Sequence, residues 1–459
     1  MKKIERNLKL RLIKMLAVVL VTLPFAACWY LYYAERILIP FFNKGNWLVI
    51  VLYVVVYTML ANIYDAFRVS TYRISEIAYS HGLAALLADC ILFVVIWLLT
   101  RYFPNILPGF VALATQIILD LIWAVCAHNW YFKVFPPKKS AIVFDKQYGI
   151  DGLICEYGLD KKFEIQLTVG VAECTENLDM LAGMETVFIS GVQSHNRNVI
   201  LKYCVARGIT VYVLPRIGDI ILSGARRTHM FHLPMLRVDN LADSPENAFS
   251  KRTFDIVFSI LALIIASPVM AVTALSIKLG DGGPVFYKQT RLTKNGKEFE
   301  IIKFRSMRVD AEKDGVARLS TGDYDDRITP VGRIIRKLRI DELPQLFNII
   351  EGNMSIVGPR PERPEIAAQY EKELPEFRLR LQAKAGLTGY AQVYGKYNTT
   401  PYDKLQMDLM YIANPSILED LRIIVATIKI LFMPESTEGI QGGQTTASYE
   451  EEEKELQSV

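Results

Sequence analysis

Long unbroken apolar runs dominate the first part of the chain, and shorter periodic patterns take over in the second. Four runs near the length of a bilayer crossing come first, at about 15–33, 46–64, 82–100 and 107–127. They predict four transmembrane helices within residues 1–135. From Ser140 to about Asn240 short β-rich runs alternate with helical ones. Ala141–Phe144, Ile165–Val169, Thr186–Ser190 and Ile209–Leu214 read as strands, with helices around 175–183 and 194–207. Such alternation predicts a small parallel α/β domain of Rossmann-like shape over 139–240. A fifth apolar run covers 254–277. Further on, Tyr402, Leu405, Leu409 and Ile412 form a helical stripe suited to core packing. Ile423–Phe432 is too short to span and reads as an interfacial or packed helix. From Glu435 the chain turns Gly/Thr/Ser-rich and then acidic, so 434–459 reads as a disordered tail.

Charge orients the spans. Lys2, Lys3, Arg6, Lys9, Arg11 and Lys14 precede the first run, which is too long and too closely followed by others for a cleaved signal peptide. Arg68 and Arg73 lie between runs two and three, and Lys133, Lys138 and Lys139 follow run four. Four crossings with both ends cytoplasmic satisfy this distribution. Every tryptophan, at 29, 47, 97, 123 and 130, falls in or beside these runs. Asp89 and Asp120 lie inside them; a transport path is one reading of such acids, and helix packing is the reading preferred for two acids without basic partners. The fifth run has Lys251 and Arg252 before it and Lys278, Lys288 and Arg291 after it, so both flanks look cytoplasmic. Ser267-Pro268 sits mid-run, where proline removes a backbone bond. A broken, re-entrant helix over 254–278 is therefore expected rather than a fifth crossing.

Composition narrows the chemistry. The chain is 51% hydrophobic with a mean hydropathy of +0.22, which agrees with a membrane portion. Net charge is only +4, yet residues 251–340 hold 17 Lys/Arg against 10 Asp/Glu. A basic block beside apolar sequence suits anionic lipid or phosphorylated ligands; a nucleic-acid partner is not expected. The six cysteines show no CxxC spacing, which argues against a disulfide framework or a zinc site. From residue 251 onward there is no Cys, His or Trp. Chemistry there must rest on carboxylates, hydroxyls, Lys/Arg and a hard, oxygen-seeking cation. In the α/β domain, Phe144-Asp-Lys-Gln-Tyr-Gly-Ile-Asp-Gly152 lacks the GxGxxG turn of a dinucleotide site, so a regulatory or structural role is expected.

The chemistry-bearing stretch is Arg336-Lys-Leu-Arg-Ile-Asp-Glu-Leu-Pro-Gln345. Leu343, ahead of Pro344, should avoid α geometry, while Pro344 suits the first position of a helix. Asp341 and Glu342 then sit at a helix N-terminus. Leu343, Leu346, Phe347 and Ile350 continue at helical spacing and should fix that element to the core. Alone, an acidic pair of this kind is usually a solvated helix start.

The surroundings change that reading. Gly280-Asp-Gly-Gly-Pro284, Val285 to Arg291, Lys303 with Phe304-Arg-Ser-Met307, Asp326-Arg-Ile-Thr329 and Val331-Gly-Arg333 precede the acids. Gly352-Asn-Met-Ser-Ile-Val-Gly-Pro-Arg-Pro-Glu362 and Ala385-Gly-Leu-Thr-Gly389 follow them. Over about 249–433 this series closely resembles the bacterial sugar transferase family, the monotopic polyprenyl-phosphate phosphoglycosyl transferases. Four spans and a Rossmann-like insert resemble its large-form members, which initiate exopolysaccharide, capsule or O-antigen synthesis. The resemblance implies transfer of sugar 1-phosphate from a UDP-sugar to undecaprenyl phosphate at the cytoplasmic face of the inner membrane, with release of UMP. It implies Asp341 as nucleophile, Glu342 beside it, phosphate-site roles for Lys303, Arg336 and Arg360, and Ser267-Pro268 as the re-entrant bend. One departure is visible, because Asn353 stands where the family commonly has Asp.

The residue chemistry is coherent without the family. A carboxylate attacking a diphosphate needs a cation, for which Mg²⁺ suits a site without His or Cys. It also needs donors for the phosphates, which Lys303, Arg305, Arg336 and Arg360 can supply. Adjacent side chains diverge on a helix, so attack is assigned to Asp341 and metal binding chiefly to Glu342, with Asp341 also within reach of the ion. Taken singly, Lys303 and Arg305 read equally as the polar face of a strand, and Arg336 as a lipid contact; Arg360, between two prolines, is held in a rigid turn. Two other classes compete: a membrane sensor or scaffold with a ligand-binding α/β domain, and a glycosyltransferase that releases UDP. The transferred sugar and the oligomeric state, homodimer included, stay open.

Overall fold

The computed structural model describes residues 2–42, 44–145, 150–238, 245–308, 327–395 and 400–431. The tail expected at 434–459 lies outside them. The chain divides into two units, Met1–Pro215 and Arg216–Val459.

In the first unit the four apolar runs become α1 (Lys2–Cys28), α2 (Lys44–Ile63), α3 (Ile74–Leu99) and α4 (Leu107–Val134). A π-helical turn, Trp29–Tyr33, extends α1. Helix α1 packs on α2 and α4, and α3 packs on the same two. Buried Ala17, Ala61, Ala84, Ala88 and Ala124 let these backbones approach closely, which matters where lipid removes the hydrophobic drive between helices. Asp120 on α4 is buried 3.7 Å from His81 Nδ1 on α3, and that nitrogen lies 2.6 Å from the Tyr57 hydroxyl on α2. This is a packing position between three helices.

After α4 come β1 (Lys138–Phe144), α5 (Ile150–Glu156), β2 (Phe163–Gly170), α6 (Val171–Glu176), β3 (Thr186–Ser190), α7 (Ser194–Arg207) and β4 (Thr210–Val213). The strands form one parallel sheet in the order β2-β1-β3-β4. Val143, Val187, Ile189, Ile200 and the thiols Cys174 and Cys204 fill its core.

The boundary between the units falls well before residue 240. Helix α8 (Ile217–Ser223) packs on the helix Pro401–Ala413 of the second unit, whose core takes in Ile220. The hairpin of β5 (Arg226–Met230) and β6 (Leu233–Arg237) follows. Helix α9 (Pro245–Asp281) keeps helical backbone through Pro268, without the gap expected of a broken helix. Proline cannot donate to the carbonyl four residues back, that of Ile264, and the Ser267 hydroxyl bonds this carbonyl instead at 2.8 Å. With α9 included, the described residues hold five helices long and apolar enough to cross a membrane, by length and composition. The chain is thus a membrane-associated protein of mixed fold.

Beyond α9, β7 (Phe286–Leu292) and β8 (Glu298–Phe304) pair antiparallel. Then come α10 (Pro330–Lys337), α11 (Gln345–Glu351), β9 (Met354–Val357), α12 (Pro364–Glu373), β10 (Ala385–Thr388), α13 (Tyr390–Tyr394), α14 (Pro401–Ala413) and α15 (Ile417–Leu431). Strands β9 and β10 pair in parallel. Leu405, Leu409 and Ile412 of α14 join Ile349, Met354, Phe377 and Ile423 in one core, so α15 is a packed helix.

Candidate active site

Asp341 and Glu342 stand on a single 3-10 turn, Ile340–Glu342, between α10 and α11. Helix α10 starts cleanly: the Thr329 side chain accepts from the Gly332 N–H at 2.9 Å, and Pro330 occupies the first turn. Gly332 is required there, because a Cβ would overlap the Ser306 carbonyl oxygen. The chain turns after α10 at Arg339, a non-glycine residue at φ +56, and such left-handed backbone costs about 1–3 kcal/mol and gathers at functional sites.

Three local expectations are corrected here. Leu343 is α-helical despite preceding proline, since its N–H closes the 3-10 turn onto the Ile340 carbonyl. Pro344 caps α11, which starts at Gln345. The buried face of α11 comprises Gln345, Leu346, Asn348 and Ile349, while Phe347 is exposed. Asn348 explains the rotation. Its amide accepts from the Ile302 N–H at 2.9 Å and donates to the Glu300 carbonyl at 2.8 Å. It thereby ties the helix following the acids to the strand carrying Lys303. Sequence reasoning passed over Asn348; a polar residue inside an otherwise apolar helix face was the available signal.

Three of the candidate residues meet directly. Lys303 Nζ and Arg360 Nη2 each lie 3.1 Å from Glu342 Oε1. Burial pushes Glu342 upward, but Lys303 and Arg360 outweigh it and hold the carboxyl below the usual range. Asp341 goes the other way. Burial first, and then the Glu342 charge, push it up to about 6, against the pull of Lys303, Arg336 and Arg339. Two neighbouring carboxyls with opposed shifts are the signature of divided roles. Asp341 Oδ1 and Arg336 Nη1 are both buried without a hydrogen-bond partner, and such orphaned atoms call for a ligand.

The other candidates differ. The guanidinium of Arg305, which is buried, packs against Gly283, and its backbone N–H donates to Val285. Ser267 bonds the Ile264 carbonyl that Pro268 leaves unpaired within α9. The Asn353 side chain contacts Glu351 at the far end of α11 from the acids, so the departure from the family pattern falls outside this cluster. Lys251 and Arg252, read as flanking charges, pair inward with Asp420 and with the last carbonyls of α11.

Magnesium takes hard oxygen donors. Among the described residues no three His, Cys, Asp or Glu converge as a metal cage. The Oε1 of Glu342 is already engaged by two cations, while the buried Asp341 Oδ1 is a hard oxygen without a hydrogen-bond partner. That set fits an ion shared between Asp341, a ligand's phosphate oxygens and water, the usual habit of Mg²⁺.

Residues 246–434, which include this whole cluster, match the model of the bacterial sugar transferase family. An exopolysaccharide production protein of Rhizobium leguminosarum is 43% identical over 187 residues, and the match covers 92% of that protein and 39% of this chain. The chain belongs to the bacterial sugar transferase family. Two further relatives of this sugar transferase carry functional names. A UDP-N-acetylgalactosamine-undecaprenyl-phosphate N-acetylgalactosaminephosphotransferase of Aeromonas hydrophila is 39% identical over 234 residues, 50% of this chain and 54% of the relative. A UDP-glucose:undecaprenyl-phosphate glucose-1-phosphate transferase of Escherichia coli is 36% identical over 224 residues, 48% of each chain. The sugar transferase thus spans about half the length of these last two relatives.

Proposed function

We propose that this protein transfers a sugar 1-phosphate from a UDP-sugar to undecaprenyl phosphate, releasing UMP, at the cytoplasmic face of the plasma membrane. The observation that carries the reading is a half-buried aspartate, with a buried and unpartnered oxygen, beside a carboxylate clamped by two cations. The names of the two longer relatives support the same substrates.

In the first step Asp341 Oδ1 attacks the sugar-bearing phosphorus of the donor. The bond from that phosphorus to the bridging oxygen breaks, and UMP leaves with the electron pair, giving a sugar-phosphoryl aspartate. In the second step an oxygen of undecaprenyl phosphate attacks the same phosphorus and restores the free carboxylate. Arg336, Arg360 and Lys303 balance the phosphate charge. Glu342 holds Lys303 and Arg360 in place rather than attacking. A magnesium ion held beside Asp341 by the donor's phosphate oxygens would supply neutralisation of the phosphate charge.

Re-entry of α9 belongs to this reading. Near its start, Asp255 accepts from Ser355 and Ile356 of β9, and near its end Ile277 packs with Phe304 and Ile335. One folded domain grips both ends, so α9 would bend at Pro268 while keeping its helical backbone, and both ends would lie on one side of the bilayer. That geometry brings a membrane-embedded acceptor to a polar site.

Nucleotide release from purified protein, given Mg²⁺, undecaprenyl phosphate and a panel of UDP-sugars, tests the reaction. UMP with one donor supports it and names the sugar. UDP as product would overturn it.

A further inference from the structure

The turn Pro359-Arg-Pro-Glu362 carries Arg360 to Glu342, and its backbone is gripped at every carbonyl. The Gly386 N–H donates to Pro359 at 2.9 Å, Arg380 Nη2 to Arg360 at 3.0 Å, Arg291 Nη1 to Pro361 at 3.1 Å, and the Leu292 N–H to Glu362 at 3.0 Å. Two prolines already fix φ at 359 and 361. What remains free is the orientation of the peptide groups, and these four bonds set it.

Arg380 is the best anchored of the donors. Its Nε and Nη2 lie 2.9 and 2.7 Å from Asp408 Oδ2 on α14, and its Nη1 lies 3.4 Å from Glu362 Oε1. The guanidinium also sits 4.8 Å from the centre of the Phe377 ring. The side chains of Arg380 and Asp408 are only 4% and 1% exposed. A head group so enclosed has no route to a substrate. Yet it holds the carbonyl of the residue whose guanidinium, 44% exposed, reaches the Glu342 carboxylate.

We infer that Arg380, braced by Asp408, is a positioning residue that acts on the reaction through Arg360. The Arg380–Asp408 pair fixes the Arg360 backbone, the Arg360 side chain holds Glu342, and Glu342 holds Lys303 beside Asp341. An ordinary core ion pair would stabilise the domain without addressing that one carbonyl. The inference rests on the phosphoglycosyl transfer proposed above, so its test reads both activity and the turn itself.

The experiment uses the full-length protein as wild type, Arg380→Lys, Arg360→Ala and the double variant. Lysine keeps the charge that Asp408 needs, which protects the fold, but it lacks the fork that serves Asp408 and the Arg360 carbonyl together. Thermal unfolding of Arg380→Lys should stay near wild type. Its kcat for UMP release should fall about 10²-fold, the usual cost of a misplacement near 1 Å, with KM within about threefold. In the Arg360→Ala background the same change should cost less than about twofold, because the residue it acts through is gone. An equal cost in both backgrounds, or a wild-type kcat in Arg380→Lys, would overturn the inference. If the wild type transfers no phosphosugar, the parent reading fails separately. Amide exchange then decides the inference: the turn at 358–363 should exchange faster in Arg380→Lys while 345–351 does not change, and unchanged exchange in the turn sinks the idea.

Discussion

Removing the charge of Glu342 should retune its neighbour. Asp341 is pushed up to about 6, first by burial and next by the Glu342 charge. Glu342 itself is held below the usual carboxylate range by Lys303 and Arg360, so it stays ionised across any practical assay. The attacking form of Asp341 is the carboxylate, and activity should fall as pH drops through its midpoint. Glu342→Gln deletes the negative neighbour. It also frees Lys303 and Arg360, which lie 3.1 Å from the lost oxygen and attract the Asp341 carboxylate in the same downward direction. Burial, the largest cause, is untouched. Without metal the midpoint should therefore descend only part of the way from about 6 toward the ordinary aspartate value near 3.9, by roughly one pH unit, and magnesium beside Asp341 should lower the midpoints of both proteins while keeping their order. The assay is the pH dependence of the single-turnover rate of UMP release at sub-saturating UDP-sugar and fixed magnesium, without the lipid acceptor, so that acceptor titration does not intrude. An acid limb that stays put or moves to higher pH would refute this electrostatic account of the pair.

Further outcomes follow from the packing. Gly332→Ala forces a Cβ onto the Ser306 carbonyl, and the shift of α10 should cost about 1–3 kcal/mol, read by thermal unfolding, together with a loss of activity through Arg336. Leu405→Ala opens a cavity at a fully buried core position and should destabilise the second unit by about 2–5 kcal/mol. Chelation with EDTA should abolish UMP release, and added Mg²⁺ should restore it, because Asp341 carries an unpartnered carboxylate oxygen beside the phosphate-binding cations.

What could be read from the sequence was what periodicity encodes. The four apolar runs and the strands near 141, 165, 186 and 210 are contiguous signals, and the structure places elements at each. The acids, Lys303 and Arg360 were also within reach, because motifs in series marked them, and the structure brings Lys303 and Arg360 onto Glu342. Misreadings arose where a tertiary partner overrides a local rule. Ile217 and Ile220 look like an extension of the α/β domain but bury against the core that holds α14. At Pro268 the override is local: Ser267 bonds the carbonyl that the proline orphans, and the backbone stays helical through a position where a break was expected. Asn348 turns α11 inward by bonding a strand 46 and 48 residues away. The bonds from Arg380 to the Arg360 carbonyl and to Asp408 span 20 and 28 residues, and no local pattern announces them.

The central claim is that Asp341 becomes covalently attached to the phosphosugar. The most direct test incubates the protein with Mg²⁺ and its UDP-sugar in the absence of undecaprenyl phosphate, then maps the Asp341-containing peptide by mass spectrometry. The account predicts one UMP released per protein and a sugar-phosphate added at Asp341, lost when the lipid acceptor is supplied and absent in Asp341→Asn. No UMP before acceptor addition, with an unmodified peptide from a preparation that turns over once the lipid is present, would contradict it.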